Sequence, residues 1–464
     1  MNYEELIPQA DNLMESTRSI GYSLQSAIAD IVDNSIAAKA KNVYIQFPRI
    51  KHEYLSILDD GYGMTSNELI EAMKYGSKPI SQSREESDLG RFGLGLKMAS
   101  LSQCRSLTVI SKKNGNITCA TWDLDHIKNK KKWELQLPSL DEIGQINEIE
   151  ELCNLESGTL ILWEKLDLML QGINDIDSDV LKNNFVDVEN HLSLVFHRYL
   201  KYFEKIEDNC IDNRRFSLNI ECNGVRLTGI DPFISEQSSL AFSSEQLPNT
   251  NEISITPWVL PFPNKIAPKV LKEIGDLQQN QGFYIYRNKR LVIKGSWFYL
   301  NRKAELSKLI RVQVDIPNSS IIDKEWKLDI KKSSATLPES LKKYLKKTVE
   351  NLTVRSKRTF TKRAKIENLQ DGIWKRIETE EGKVSYEVNQ DNEYVRMLVD
   401  KYPEIKLLLK LISTSLPDNS IYNDRTENIV INSDRNVELD EYEEYLQYLP
   451  KDLANKIRGI KHGS

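Results

Sequence analysis

The segment Tyr22–Ala40 constrains the fold more than any other part of the chain, because its apolar residues recur with a helical period while ionisable and amide groups sit among them. Leu24, Ala27, Ile28, Ile31 and Ala38 make one stripe, and Asp30, Asn34 and Ala37 fall on another. The spacing predicts a helix that carries a carboxylate and an amide one turn apart. Two alternating runs follow, Val43–Phe47 and Tyr54–Leu58, and read as strands, the second ending in Asp59-Asp60-Gly61-Tyr62-Gly63-Met64. The polar stretch Ser77–Asp88 has no periodicity, and after it Gly90-Arg91-Phe92-Gly93-Leu94-Gly95-Leu96-Lys97 opens onto a helix start at Met98–Ser102. Further strands are predicted at Ser106–Ser111, Ile117–Asp123 and Gly158–Glu164. Helices and strands are thus mixed within this region, which sets the fold class as α/β.

A chain of 464 residues is too long for one hydrophobic core, and about three domains is the expectation. Its 40% apolar and 28% charged residues are ordinary for a globular protein, and no stretch approaches the roughly 20 apolar residues of a membrane span. Met1–Glu5 lacks the basic start of a secretory signal, so a cytoplasmic location is expected. The five cysteines, Cys104, Cys119, Cys153, Cys210 and Cys222, are scattered without a Cys-x-x-Cys pair, which argues against structural zinc and against a disulfide framework. With a net charge of −5, any contact with nucleic acid has to come from a local basic patch.

Beyond the first region, a helix is predicted around Val186–Phe203, then strands at Phe216–Glu221, Ile253–Pro257, Phe283–Arg287 and Arg311–Ile316, which together read as a second α/β domain. A helix over Leu337–Thr348 leads into a basic stretch, Arg355, Lys357, Arg358, Lys362, Arg363 and Lys365, which contains Phe360. Such a stretch offers contacts to phosphates and stacking on a base; it is equally a charged, solvated helix. The tail reads as mainly helical, with periodic runs at Tyr394–Leu398 and Ile405–Ile412 and an acidic, solvated run at Glu438–Glu444.

A nucleotide site needs groups for a base, a metal, phosphates and an attacking water. Asp59 closes a strand where its carboxylate can accept a hydrogen bond from an exocyclic amine, and Gly61 and Gly63 let the backbone approach a planar ring. Gly90 to Lys97 supplies bare N–H groups, a helix start and a lysine for phosphate oxygens. Asn34 offers a neutral oxygen to Mg²⁺, and Asp30 one turn away is placed to polarise water. Each alone has a plain structural explanation: an Asx-turn loop, a glycine-rich turn or a satisfied helix carboxylate. Their joint occurrence in this order is what points to a nucleotide.

These stretches, Asp30-Ile31-Val32-Asp33-Asn34-Ser35, Asp59 to Met64, Gly90 to Lys97 and Ser157-Gly158-Thr159, resemble the four boxes of the GHKL ATPases. The resemblance implies a Bergerat-fold α/β sandwich, then a transducer-like α/β domain and a mainly helical C-terminal region, with boundaries 1–185, 186–350 and 351–464. It implies ATP and Mg²⁺ as cofactors, with Asn34 on the metal and Asp59 and Thr159 on adenine beside Gly61, Gly63 and Met64. Gly90, Arg91, Phe92, Gly93, Leu94, Gly95, Leu96 and Lys97 would surround the phosphates, Asp30 would be the general base, and a lid would span about residues 75–91. Most hydrolytic members have Glu in place of Asp30 and Asp in place of Ala37. Asp is a methylene shorter, so its carboxylate starts about 1.5 Å further from the water and slow hydrolysis is expected.

Arg18 to Ser23, Asp88 to Lys97, His197-Arg198, Asp231-Pro232-Phe233, Tyr284 to Arg290 and Trp326 to Ser333 resemble bacterial MORC-like proteins. That likeness implies an ATP-dependent homodimer in which Lys331 or Lys332 reaches the terminal phosphate, acting as a clamp on DNA or a partner protein, with phage defence as its setting. A protein-remodelling ATPase like heat-shock ninety and a MutL-like repair factor without nuclease are the alternatives.

Overall fold

The computed structural model describes residues 3–4, 8–19, 21–49, 53–75, 95–144, 146–173, 178–200, 218–240, 245–247, 250–319, 322, 325–327, 336–364, 374–378, 383–403, 405, 409 and 430–431. The chain divides into two compact units, Met1–Leu352 and Thr353–Ser464.

The first unit is built on two sheets. The N-terminal sheet contains β1 (Asn42–Gln46), β2 (Leu55–Asp59), β3 (Ser106–Lys113), β4 (Asn116–Asp123), β5 (Gly158–Glu164), β6 (Asn219–Cys222) and β7 (Val225–Arg226), in the order β4-β3-β5-β2-β1-β6-β7. Around it lie α1 (Ala10–Arg18), α2 (Leu24–Ala37), α3 (Ser66–Met73), α4 (Gly95–Leu101), α5 (Leu124–Lys130), α6 (Leu140–Ile143), α7 (Asn147–Asn154) and α8 (Asp179–Val195).

Strand alternation decides which face meets which helices. Leu55 and Ile57 of β2, Leu107 and Val109 of β3, and Ile161 and Trp163 of β5 enter the larger core with Ala27, Ile28 and Ile31 of α2. Leu58, Ile110, Leu160 and Leu162 point to the other face and meet Ile149 and Leu152 of α7. Buried on both sides, β2 is apolar before Asp59 except at Ser56, whose hydroxyl donates to Glu148 at 2.9 Å. The Ser23 hydroxyl caps α2 by accepting from the Ser26 amide. Packed against α4 and α8, α2 is buried from Ala27 to Asp33, so its acidic groups have to find partners inside.

Two elements differ from the sequence reading. Helix α8 starts at Asp179, seven positions before Val186, because Ser178 caps it by accepting from Leu181 N; Phe185 then stacks on Phe47, ring centroids 4.2 Å apart. The strand predicted over Phe216–Glu221 appears as β6 and pairs in parallel with β1, Asn42 opposite Asn219. It therefore extends the N-terminal sheet, where Leu218, Ile220 and Cys222 join the larger core. Material beyond residue 185 completes the first sheet.

The second sheet contains β8 (Ser239–Leu240), β9 (Glu245–Leu247), β10 (Thr250–Val259), β11 (Gly282–Arg287), β12 (Arg290–Ser296) and β13 (Ile310–Ile316), in the order β12-β11-β13-β10-β8 with β9 on β10; α9 (Pro268–Ile274) lies between β10 and β11. Strands β10, β11 and β13 fall where they were predicted. Phe233, Tyr284, Tyr286 and Leu291 form its own apolar cluster. Strand β12 arises because Asn288 and Lys289, at φ 45° and 65°, make a tight turn that sends the chain back beside β11.

The helix Glu339–Ala364 runs across the division between the units. Within the second unit, β14 (Trp374–Glu378), β15 (Lys383–Val388) and β16 (Val430–Ile431) form a small sheet, followed in sequence after β15 by a helix over Glu393–Lys401 that the Asn392 side chain caps. The helix matches the periodicity at Tyr394–Leu398. The sheet departs from the expectation of a mainly helical tail, since Trp374–Glu378 and Lys383–Val388 pair antiparallel instead. The acidic run Glu438–Glu444 and most of Ile405–Ile412 lie outside the described residues.

Candidate functional site

Three polar side chains form a row across the sheet, and the register puts them there. Asp59 ends β2 opposite Thr159 of β5, and Thr159 stands opposite Ser111 of β3. Alternation turns each toward the α2 face, the same face as Ile57, Ile161 and Val109. Asp59 is only 5% exposed. Its Oδ2 accepts from the Ser35 hydroxyl at 2.8 Å and its Oδ1 from the Gly61 amide at 2.9 Å. Burial pushes its carboxyl up to about 6 against the pull of these donors. Ser111 Oγ lies 2.9 Å from Thr159 Oγ1, donates to Gly158 O at 3.0 Å and accepts from Met64 N at 2.8 Å. A buried acceptor beside hydroxyls that donate or accept suits a heterocycle edge carrying an amine and ring nitrogens.

The second and fourth stretches are held together. The Ser157 hydroxyl donates to Gly61 O at 2.7 Å, and Tyr62 N donates to Ala38 O at 3.1 Å. Gly63 sits at φ +63°, and a Cβ there would lie 2.0 Å from Lys112 O; one at Gly61 would lie 2.7 Å from the Ala38 Cβ. These glycines are required by backbone packing against β3 and α2, a different reason from the approach of a planar ring expected from the sequence.

On α2, Asp30 and Asn34 sit one turn apart, the first 3% exposed and the second half-buried. The Tyr22 hydroxyl donates to Asp30 Oδ2 at 3.1 Å. A Cβ on Gly95, at the start of α4, would lie 3.9 Å from the same oxygen, so the third stretch passes beside Asp30. From the second sheet, Arg290 Nη2 stands 3.9 Å from Asp30 Oδ1, and its Nε lies 2.9 and 2.8 Å from the two oxygens of buried Asp33.

Lys97 does something the sequence did not anticipate. It is 1% exposed, and its ammonium donates to Ala72 O at 2.7 Å and Lys74 O at 2.8 Å, at the end of α3. Burial pulls the ammonium down to about 8. In this structure Lys97 fastens α3, which Trp122 Nε1 also holds through Met73 O at 3.0 Å. Gly95 and Leu96 begin α4. Gly90, Arg91, Phe92, Gly93 and Leu94, the lid after Tyr75, and both Lys331 and Lys332 lie outside the described residues.

Ser35, Ser111, Tyr22 and Arg290 belong to this constellation and were not singled out as site residues. Ser35 had a signal, since it directly follows Asn34 on a helix whose neighbours bury. Ser111 had none, and Arg290 stood only in the stretch Tyr284 to Arg290 that resembles MORC-like proteins, because strand register and the docking of a second sheet are not local properties.

Residues 22–159 match the family model described as "Histidine kinase-, DNA gyrase B-, and HSP90-like ATPase". The chain is similar to ATPase morc-1 of Caenorhabditis elegans, 34% identical over 108 residues, 23% of this chain and 12% of that protein. It is likewise similar to ATPase MORC2 of Homo sapiens, 30% identical over 100 residues, 21% of this chain and 10% of the relative. Residues 22–159 are therefore similar to the ATP-binding domain that this family model describes, and part of the chain is similar to MORC ATPases. The chain spans about a tenth of the length of these relatives. Among solved structures, the ATPase and transducer domains of DNA topoisomerase II from Balamuthia mandrillaris cover 72% of this chain and 84% of that chain at 13% identity and a TM-score of 0.40, a likeness too loose to assign roles.

Proposed function

We propose that this protein is a Mg²⁺-dependent ATPase that works as a nucleotide-gated dimeric switch on DNA or a DNA-associated partner in the cytoplasm. The observation that carries the ATP reading is the row Asp59, Thr159 and Ser111 under Ser35, at the same sheet end as the helix bearing Asp30 and Asn34. Asp59 and Thr159 hold the adenine edge. Asn34 would hold Mg²⁺, since one neutral oxygen fits an ion that keeps several waters and phosphate oxygens; when bound, the ion supplies charge neutralisation on the phosphates. Asp30 takes a proton from water as the water oxygen bonds to the terminal phosphorus, and the bond from that phosphorus to the ADP oxygen breaks. Asp30 is held short of free rotation by Tyr22, which favours one carboxylate orientation.

Closure of two protomers around ATP, with Lys331 or Lys332 on the terminal phosphate, completes the switch. The DNA part of the reading is supported by Arg355, Lys357, Arg358, Lys362 and Arg363 on the helix Glu339–Ala364; Lys365 lies beyond the described helix. Phage defence is the setting that the MORC-like resemblance suggests. Asp59→Asn should abolish ATP binding by calorimetry, because the amide cannot offer the same acceptor pair to an amine; unchanged affinity removes the base pocket and with it the reading. For DNA, a titration across salt concentrations with and without ATP should show affinity that rises with nucleotide and falls with salt. A protein-remodelling ATPase shows no such nucleotide dependence.

A further inference from the structure

The second sheet reaches the nucleotide helix at one guanidinium. The β11–β12 turn, Asn288-Lys289, is anchored to the end of the α8 region by the Tyr199 hydroxyl, which donates to Asn288 O. Arg290 follows directly, opens β12 and is 4% exposed. Its guanidinium lies 5.8 Å over the Phe196 ring and donates from Nη1 to Leu291 O at 3.1 Å. Nε meets Asp33 as described, and Nη2 points its charge at Asp30 from 3.9 Å. Two carboxylates one turn apart on a buried helix thus share one cation delivered from 257 residues away in the chain.

A buried pair such as this adds little net stability compared with an apolar pair of equal volume, so its chemistry lies in what it orients. Asp33 is not placed among the nucleotide groups, but it is a near neighbour of Asp30 on the same helix. Without Arg290, two carboxylates one turn apart would lie in a closed interior with no cation shared between them, and the side of Asp30 away from Tyr22 would lose the charge that faces it. With it, Tyr22 fixes one Asp30 oxygen and the Arg290 charge faces the other.

We propose that Arg290 is a positioning residue for ATP turnover: by clamping Asp33 and facing Asp30 it sets the Asp30 carboxylate, and it makes hydrolysis depend on the β11–β12 hairpin being seated on α2. The inference rests on the reading of Asp30 as the group that takes the water proton. Arg290 touches neither the base pocket nor the groups assigned to the metal, so it acts on the chemical step and not on nucleotide capture.

The test compares full-length Arg290→Gln, Arg290→Lys, the neutral pair Arg290→Gln with Asp33→Asn, and Asp30→Asn. Each is measured for steady-state kcat and KM, for affinity toward a non-hydrolysable ATP analogue by calorimetry, and for melting temperature. The neutral pair removes the guanidinium together with the carboxylate it binds most closely, and keeps the fold testable if Arg290→Gln alone does not fold. Arg290→Gln and the neutral pair should lower kcat by about tenfold or more with analogue affinity changed by less than about threefold, since misplacing a catalytic group costs rate and not binding. Arg290→Lys should recover part of kcat, because it keeps the charge but loses the planar fork. If the folded neutral pair turns over ATP at the parent rate while Asp30→Asn is inactive, the positioning role is overturned and the Asp30 reading stands. If Asp30→Asn turns over normally, that reading itself fails. Loss of analogue binding in step with kcat in the folded neutral pair also overturns the proposal, since it marks a merely structural contact.

Discussion

Among single residues, Asp59 is the one whose chemistry can be read most directly from its surroundings. Its folded carboxyl titrates at about 6 against an ordinary 3.8, with burial as the largest cause. Because the folded value is raised, the charged form weighs against the unliganded fold above about pH 6, and this burden is relieved as pH falls. Recognition of an exocyclic amine needs the carboxylate, so binding changes in the opposite direction. Adenosine, which carries no titrating phosphate, should bind with constant affinity above about pH 7 and about tenfold more weakly at pH 5, following the ionised fraction of Asp59. Calorimetry across that range checks this, and a flat profile would mean that the carboxylate does not face the base. The place of Asp59 was legible in sequence, where it closes a strand before Gly-x-Gly; the Ser35 hydroxyl and the Thr159 strand beside it became visible only with the fold. Gly61 and Gly63 were legible as required glycines but not for their reason, since the atoms they must avoid, Ala38 Cβ and Lys112 O, come from other elements.

At the level of elements, local signals carried α2, β1 to β5 and the central strands of the second sheet, all long apolar or alternating runs. They missed β12, whose turn residues Asn288 and Lys289 take positive φ without a glycine to advertise it. They also missed the β14–β15 pair, whose many charged residues read as helix surface until pairing partners are known. The end of α3 offers a test at this scale. Lys97 and Trp122 satisfy three successive carbonyls there, those of Ala72, Met73 and Lys74. Lys97→Met keeps the apolar stem but leaves two carbonyls without the ammonium, which should destabilise the protein by about 1.5–3 kcal/mol. Denaturant unfolding measures the loss, and amide exchange should rise first in Ala72–Tyr75. If exchange there is unchanged, the ammonium is not what holds α3.

At the scale of the whole first unit, the two sheets cannot be separated where sequence alone would cut. The family match ends at residue 159, and the resemblance implies a boundary at residue 185, yet the larger core takes Val188, Leu192 and Val195 from the rest of α8, Leu218, and Ile220 and Cys222 from β6. Each large aliphatic removed from such a core costs about 2–5 kcal/mol, against a total stability of about 5–15 kcal/mol for a domain. A chain ending at residue 185 should therefore fail to fold, showing no cooperative melt by circular dichroism and elution as aggregate. It would also lack Arg290, leaving Asp33 and Asp30 without their shared cation. A chain ending at Ala364 keeps both sheets, the Arg290 contact and the whole helix Glu339–Ala364. It should melt in one transition and bind the ATP analogue within about twofold of the full chain, because the described residues of the base pocket, Ser35, Asp59, Ser111 and Thr159, lie in the first unit. A stable, nucleotide-binding 1–185 fragment would show instead that α8 and β6 are ornaments to the first sheet, and that the second sheet has no hold on the site.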